Sequence, residues 1–223
     1  LGQSIPFVGE YGISKNPESF ANHGYRVYFA DKKRGAVLRL SMDGITEISE
    51  KGMRDYFLDN TKAASSIIGS YDISTDSYNI TLNNDTVSFT ELVNGWVSRK
   101  SFIPENGVSL NNTYYTFYDG EIWSHTNALR NKFYDATNKS SVNLIFNDAP
   151  SSIKNFKTLN YEGSKDWKAT EVTTDQQSGK VTYFKDKENK WFNYIRGTST
   201  GKVTINFVDN NNSNFEDVEG IVL

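Results

Sequence analysis

Residues 24–49, GYRVYFADKKRGAVLRLSMDGITEIS, decide how the rest of the chain is read. Val27, Tyr28 and Phe29 run into the polar turn Asp31-Lys32-Lys33-Arg34-Gly35, and Val37, Leu38 and Leu40 follow it. Asp43-Gly44 then sends the chain back through Ile45 and Ile48. Short runs of β-branched and aromatic residues between turn formers read as strands, and Asp-Gly supplies the positive backbone angle of a tight hairpin. The stretch predicts three antiparallel strands in a meander.

Three similar hairpins follow. They cover residues 69–82, turning at Ser74-Thr75-Asp76-Ser77; 114–125, turning at Asp119-Gly120; and 180–196, turning near Lys187-Glu188-Asn189. Aligned on the strand before the turn, Phe29, Asp72 and Thr116 stand about 43 and 44 residues apart, the spacing of four-stranded propeller blades. Phe184 comes about 68 residues after Thr116. Either an insertion intervenes, or strands at 142–146 and 156–159, separated by the loop 147–152, contribute to a blade. The expected fold is all-β: a β-propeller or propeller fragment of antiparallel meander blades, with a β-sandwich or mixed β fold as the alternative. One short helix is expected near residues 52–64, where Met53, Tyr56, Phe57 and Lys62 fit one or two helical turns and the Met and aromatics form a packing face. Residues 1–223 are read as a single β domain. Because the chain starts at Leu1 and ends on Ile221-Val222-Leu223, it is also read as a segment of a longer polypeptide.

Composition narrows the function. Only 37% of the 223 residues are hydrophobic, but 14% are aromatic, so burial must rest on large rings. Net charge is -3 with acidic and basic residues interspersed, which argues against nucleic acid as a partner. No apolar run is long enough to predict a membrane span. The absence of cysteine removes disulfides, thiol nucleophiles and Cys-ligated metals. His23 and His125 are far apart without metal-ligand spacing, and His125, beside Trp123, reads as a structural histidine. No G-x-S-x-G elbow or phosphate-binding glycine loop occurs. Asp119 with Glu121 or Glu105 is the one acid–base pairing to weigh, and the Asp-Gly turn already explains Asp119. Residues 209–217 alternate oxygen donors, but no Gly stands at the sixth place and Gly220 replaces the closing Glu of a calcium loop; a solvated loop is expected. Trp96, Trp123 and Trp191 read as core. Trp167, in the loop 162–169, is the one exposed candidate for a glycan or partner contact. The sequons beginning at Asn79, Asn84, Asn111, Asn138 and Asn211 are what an Asn-rich chain yields by chance. No catalytic, cofactor-binding or metal-binding residue is expected, and no enzymatic activity.

Three stretches carry a resemblance. Residues 10–57 (EYGISKNPESFANHGYRVYFADKKRGAVLRLSMDGITEISEKGMRDYF), 96–125 (WVSRKSFIPENGVSLNNTYYTFYDGEIWSH) and 140–164 (SSVNLIFNDAPSSIKNFKTLNYEGS) resemble large virion structural proteins of tailed bacteriophages, including marine myoviruses and crAss-like phages. The resemblance implies a non-enzymatic part of the tail or neck in the phage particle, partnered by other virion proteins and by copies of itself. It offers no active-site residues, and it does not extend beyond Ser164.

Overall fold

The computed structural model describes residues 9–125, 128–129, 131–146, 148–175 and 177–197. The chain divides into two compact units, Leu1–Val142 and Asn143–Leu223. The first contains β1 (Ala21–His23), β2 (Arg26–Asp31), β3 (Ala36–Ser41) and β4 (Gly44–Glu47), then helix α1 (Arg54–Ala63). There follow β5 (Ile67–Asp72), β6 (Ser77–Leu82), β7 (Asp85–Thr90) and β8 (Gly95–Lys100). Next come β9 (Asn106–Leu110), β10 (Thr113–Tyr118) and β11 (Glu121–Ser124), and a small hairpin, β12 (Lys132–Phe133) with β13 (Ala136–Thr137). Each group is an antiparallel meander in chain order: sheet 1 is β1–β4, sheet 2 is β5–β8, and sheet 3 is β9–β11.

Local chemistry sets the turns. Asp119 and Gly120 both have positive φ in the β10–β11 hairpin, as do Asn111 and Asn112 between β9 and β10, the geometry of two-residue turns that match strand twist. Between β5 and β6, Asp72 accepts bonds from the Ser74 amide at 2.9 Å and the Thr75 hydroxyl at 2.8 Å. In the β3–β4 hairpin the loop residues are Met42 and Asp43, because Ser41 pairs with Gly44; Gly44 carries the positive φ.

Sheets 1 and 2 enclose an aromatic core. Tyr28, Ala30 and Val37 from sheet 1 meet Tyr71, Tyr78, Ile80, Val87 and Phe89 from sheet 2, and Phe57 of α1 closes the cluster. Tyr28 stacks on Tyr78 with ring centroids 4.9 Å apart, and Phe57 lies 4.4 Å from Trp96. Such rings stabilise beyond their buried area. Glu91, after β7, binds Arg39 at 2.9 Å and accepts from the Tyr28 hydroxyl at 2.8 Å, tying sheet 2 to sheet 1. The opposite face of sheet 1 buries Phe29 and Leu38 beside Tyr11 and Ile13.

The other face of sheet 2 is polar and buried: Ser70, Ser77, Asn79, Thr81, Thr86 and Ser88 are each at most 3% exposed. They bond to one another, Thr81 with Thr86 at 2.8 Å and Ser88 to Asn79 at 2.6 Å. Thr86 also donates to the Phe102 carbonyl. Most buried polar groups are satisfied in this way; Asn79 Nδ2 is the one side-chain atom of these six residues that is buried without a partner. A polar interior layer explains how the chain folds with so small an apolar fraction.

The three sheets share a device. Tyr28, Tyr78 and Tyr114, all in second strands, pair with Ala21, Tyr71 and Ser109 of the first strands. Two residues before each partner stand Ser19, Gly69 and Gly107. A Cβ on Gly69 would lie 1.9 Å from the Ser19 carbonyl oxygen, and one on Gly107 would lie 2.8 Å from Ser70 Cβ. Tyr78 donates to the Ser19 carbonyl at 2.7 Å, and Tyr114 bonds to the Ser70 hydroxyl at the same distance. The first strand of sheet 2 is therefore seated on the segment leading into sheet 1, and the first strand of sheet 3 on sheet 2.

In the second unit, β14 (Thr158–Tyr161), β15 (Ala169–Thr173), β16 (Ser178–Val181), β17 (Lys185–Lys187), β18 (Lys190–Tyr194) and β19 (Arg196–Gly197) form two three-stranded sheets. Their orders are β14-β18-β17 and β15-β16-β19. Val181 and Ile195 are buried against Phe156, Leu159, Ala169, Val172 and Phe184.

The mainly β class and the short helix are as expected, and sheet 1 gains a fourth strand, β1. The spacing argument is corrected: Phe29 and Thr116 lie in second strands, but Asp72 ends the first strand of sheet 2. The near-equal intervals compared different strands, because the sequence hides which strand begins a meander. The arms of the last hairpin belong partly to different sheets, Val181 to one and Lys185 to the other. The expected strand at 142–146 is absent. Val142, Leu144, Ile145 and Phe146 are exposed and irregular, since an apolar run becomes a strand only when an edge is offered to it. The expected strand at 156–159 forms two residues later, as β14. Residues 209–217 and Asn211 lie outside the described residues.

Candidate interaction surface

Sheet 3 turns its two faces to different environments. On the face against sheet 2, Tyr114 and Thr116 are fully buried. Ser109 donates to the Tyr71 carbonyl at 2.6 Å and accepts from the Ile73 amide at 3.1 Å. Burial pushes the Tyr114 phenol up to about 12. His125 is enclosed here by Phe102 at 4.5 Å, Tyr114 at 4.9 Å and Phe133 at 5.7 Å. Its Nε2 lies 2.7 Å from the Thr116 hydroxyl, which also accepts from Tyr134 at 3.0 Å. Desolvation lowers the imidazole to about 4. The neutral ring then accepts at Nε2 from Thr116, completing a chain from Tyr134 through Thr116 to His125. This is the structural histidine that the sequence indicated.

The opposite face is apolar and open. Val108, Leu110 and Ile122 are 47%, 68% and 67% exposed, and Tyr115 and Phe117 lie half-buried beside them. The register makes the patch continuous: Tyr115 pairs with Val108, and Phe117 pairs with Ile122. Contiguous exposed apolar surface of this kind marks interaction sites. The sequence did not reveal it, since HPHP alternation does not say whether the apolar face is the covered one.

The remaining candidates are dispersed. Asp119 and Glu121 flank Gly120 on the exposed tip of the β10–β11 hairpin, and the Asp119 amide donates to Glu105 at 3.3 Å. Among the described residues no three His, Asp or Glu side chains cluster as metal ligands, and no helix is long and apolar enough to cross a membrane. Trp96 donates to the Ile48 carbonyl at 3.0 Å within the first core. Trp123 packs on Tyr134 and Trp191 on Tyr161. Trp167 is 38% exposed, with its indole N–H 3.4 Å from the Ser164 hydroxyl. In the same unit a cleft of about 330 Å³ is lined by Tyr183, Phe192 and Tyr194 with Asp186 and Arg196, and Trp167 is not part of it.

Residues 129–198 match the family model described as the Crassvirus muzzle protein C-terminal domain. This supports a virion structural protein of crAss-like phages. The matched stretch holds β12 to β19 and spans the division between the two units. Of the three stretches that carried the resemblance, 140–164 falls within it, while 10–57 and 96–125 lie outside. It also continues past Ser164, where the sequence had shown no resemblance. Comparison with curated proteins returns no match.

Proposed function

We propose that the chain is a non-enzymatic structural component of a phage virion, in the tail or neck assembly, and that it works by packing against other virion proteins and copies of itself. The observation that carries this reading is the muzzle-domain match over residues 129–198. The open apolar face of sheet 3 supports it, because stable protein contacts are built around such patches. We further propose that sheets 1 to 3 are blades of a β-propeller. β1 lies against β5 and β5 against β9, the order in which innermost strands follow one another in a ring, and the open face of sheet 3 is where the next blade would seat. Electron microscopy of purified particles tests the assignment. Density for this chain is expected in the tail or neck region, and its absence from purified virions would overturn the reading.

A second reading, a receptor- or glycan-binding module, is favoured by Trp167 and by the aromatic cleft at Tyr183 and Tyr194, since exposed rings beside polar groups stack on sugars. A glycan-array signal abolished by Trp167→Ala or Tyr194→Ala would promote it. No signal on the array would dismiss it.

A further inference from the structure

We infer that the first unit carries a binding site for a phosphate dianion, built from four lysines. Lys15, Lys32, Lys33 and Lys62 line a shallow cleft of about 450 Å³. They come from three places: the segment before β1, the β2–β3 turn and the last turn of α1. Four like charges in one cleft repel each other unless an anion is present.

Two nearby carboxylates, Asp31 and Glu10, are already engaged. Asp31, the one acid in the β2–β3 turn, is 3% exposed and accepts from the Gly12 amide at 3.0 Å, the Arg34 amide at 3.1 Å and the Arg34 guanidinium at 3.3 Å. Glu10 binds the other side of the same guanidinium at 3.1 Å. None of the four lysines forms an ion pair among the described residues.

Two of them are held in place. Lys32 donates to the Ala64 carbonyl at 2.6 Å, just beyond α1. Lys62 extends over Gly35, where a Cβ would come 3.2 Å from its Cε and 2.9 Å from the Leu58 backbone. The helix end itself supplies about half a negative charge, far less than four ammonium groups. Lys32 spends one of its three donors on Ala64 and keeps two, and Lys15, Lys33 and Lys62 are exposed.

A compact cleft of point charges suits one tetrahedral dianion better than a duplex. A duplex needs a long basic track, whereas this chain is net negative. The phosphate can be free, or it can be the phosphomonoester of a larger molecule such as a bacterial glycolipid.

Titration of the full chain with inorganic phosphate and, separately, with glucose 1-phosphate, at constant ionic strength and with chloride as reference, tests the site. Saturable binding of at least one is expected, weakened tenfold or more by Lys33→Glu and by Lys62→Glu but unchanged by Lys51→Glu. Binding of the ester alone assigns the carried phosphate, and binding of both assigns the free ion as sufficient. Unchanged thermal unfolding of the variants shows that the fold is retained, and Lys33→Gln serves if charge reversal disturbs it. No binding by either ligand, equal loss with Lys51→Glu, or a short DNA duplex that binds and is not displaced by phosphate would each overturn the proposal.

Discussion

Gly69→Ala tests whether the sheets are seated on one another as described. Gly69 has an ordinary strand φ, so its backbone accepts alanine, and in an open strand the change would stabilise by about 0.5–1 kcal/mol. Here the new Cβ meets the Ser19 carbonyl oxygen at 1.9 Å and its carbon at 2.5 Å, both backbone atoms. To reach even the 3.0 Å limit of real Cβ contacts, β5 must move away from the segment before β1. That movement strains the packing around Tyr28 and Tyr71, and it pulls the buried Tyr78 hydroxyl from its 2.7 Å bond to Ser19. Overpacking costs about 1–3 kcal/mol, and an orphaned buried hydroxyl costs about 1–3 more. A loss of about 2–6 kcal/mol follows. Gly107→Ala should cost less, about 1–2 kcal/mol, because its obstacles are side-chain atoms of Ser70 and Tyr114 that can yield. Urea unfolding, with hydrogen exchange of the β5 and β6 amides to isolate the first unit, measures both. A Gly69→Ala protein as stable as the parent would refute the close seating of sheet 2 on sheet 1.

Phe57→Ala should cost about 3–5 kcal/mol, because the ring is fully buried between Tyr56 and Trp96; urea unfolding with Trp96 fluorescence reads it. Tyr114→Phe should cost about 1–2 kcal/mol by leaving the Ser70 hydroxyl without its bond across the sheets, and a double-mutant cycle with Ser70→Ala would show coupling. Stability should also fall on acidification through His125. Its folded pKa of about 4 lies below the unfolded value of about 6.5, so the unfolded chain protonates first, and the contribution is full above pH 6.5 and lost as pH falls toward 4. Since the ring is partly accessible, roughly 1–2 kcal/mol is expected rather than the whole shift. An NMR titration of the imidazole with a midpoint at or above 6.5 would contradict it.

What could be read from the sequence was what short-range chemistry decides. Asp119-Gly120 turns the chain through its own backbone preference, and Phe57 falls on the inner face of a helix because of its spacing. What could not be read depends on which surface meets which. The Ser, Thr and Asn residues of sheet 2 alternate as a solvated face would, yet they are buried: Ser70 bonds to Tyr114 of sheet 3, Thr81 to Thr86, and Ser88 to Asn79. Tyr28, Tyr78 and Tyr114 occupy one structural position at unequal spacing, so a search for a fixed period aligned the wrong strands. Lys32 and Lys33 read only as turn residues and Lys62 only as a helix residue, and no linear pattern joins them to Lys15.

The same logic bears on the open face of sheet 3. Within the first unit the face of sheet 1 toward sheet 2 and both faces of sheet 2 are covered, whether aromatic or polar, and the outer face of sheet 1 is partly closed by Tyr11 and Ile13. Sheet 3 keeps the same alternation but leaves Val108, Leu110 and Ile122 in water. Each exposed Å² of that face forgoes about 25 cal/mol, and a face patterned like the covered ones is completed when another sheet lies upon it. Leu110→Lys with Ile122→Lys should therefore leave urea unfolding of the isolated chain nearly unchanged while removing the chain from purified particles. Incorporation at the parental level would show that the face takes no part in assembly.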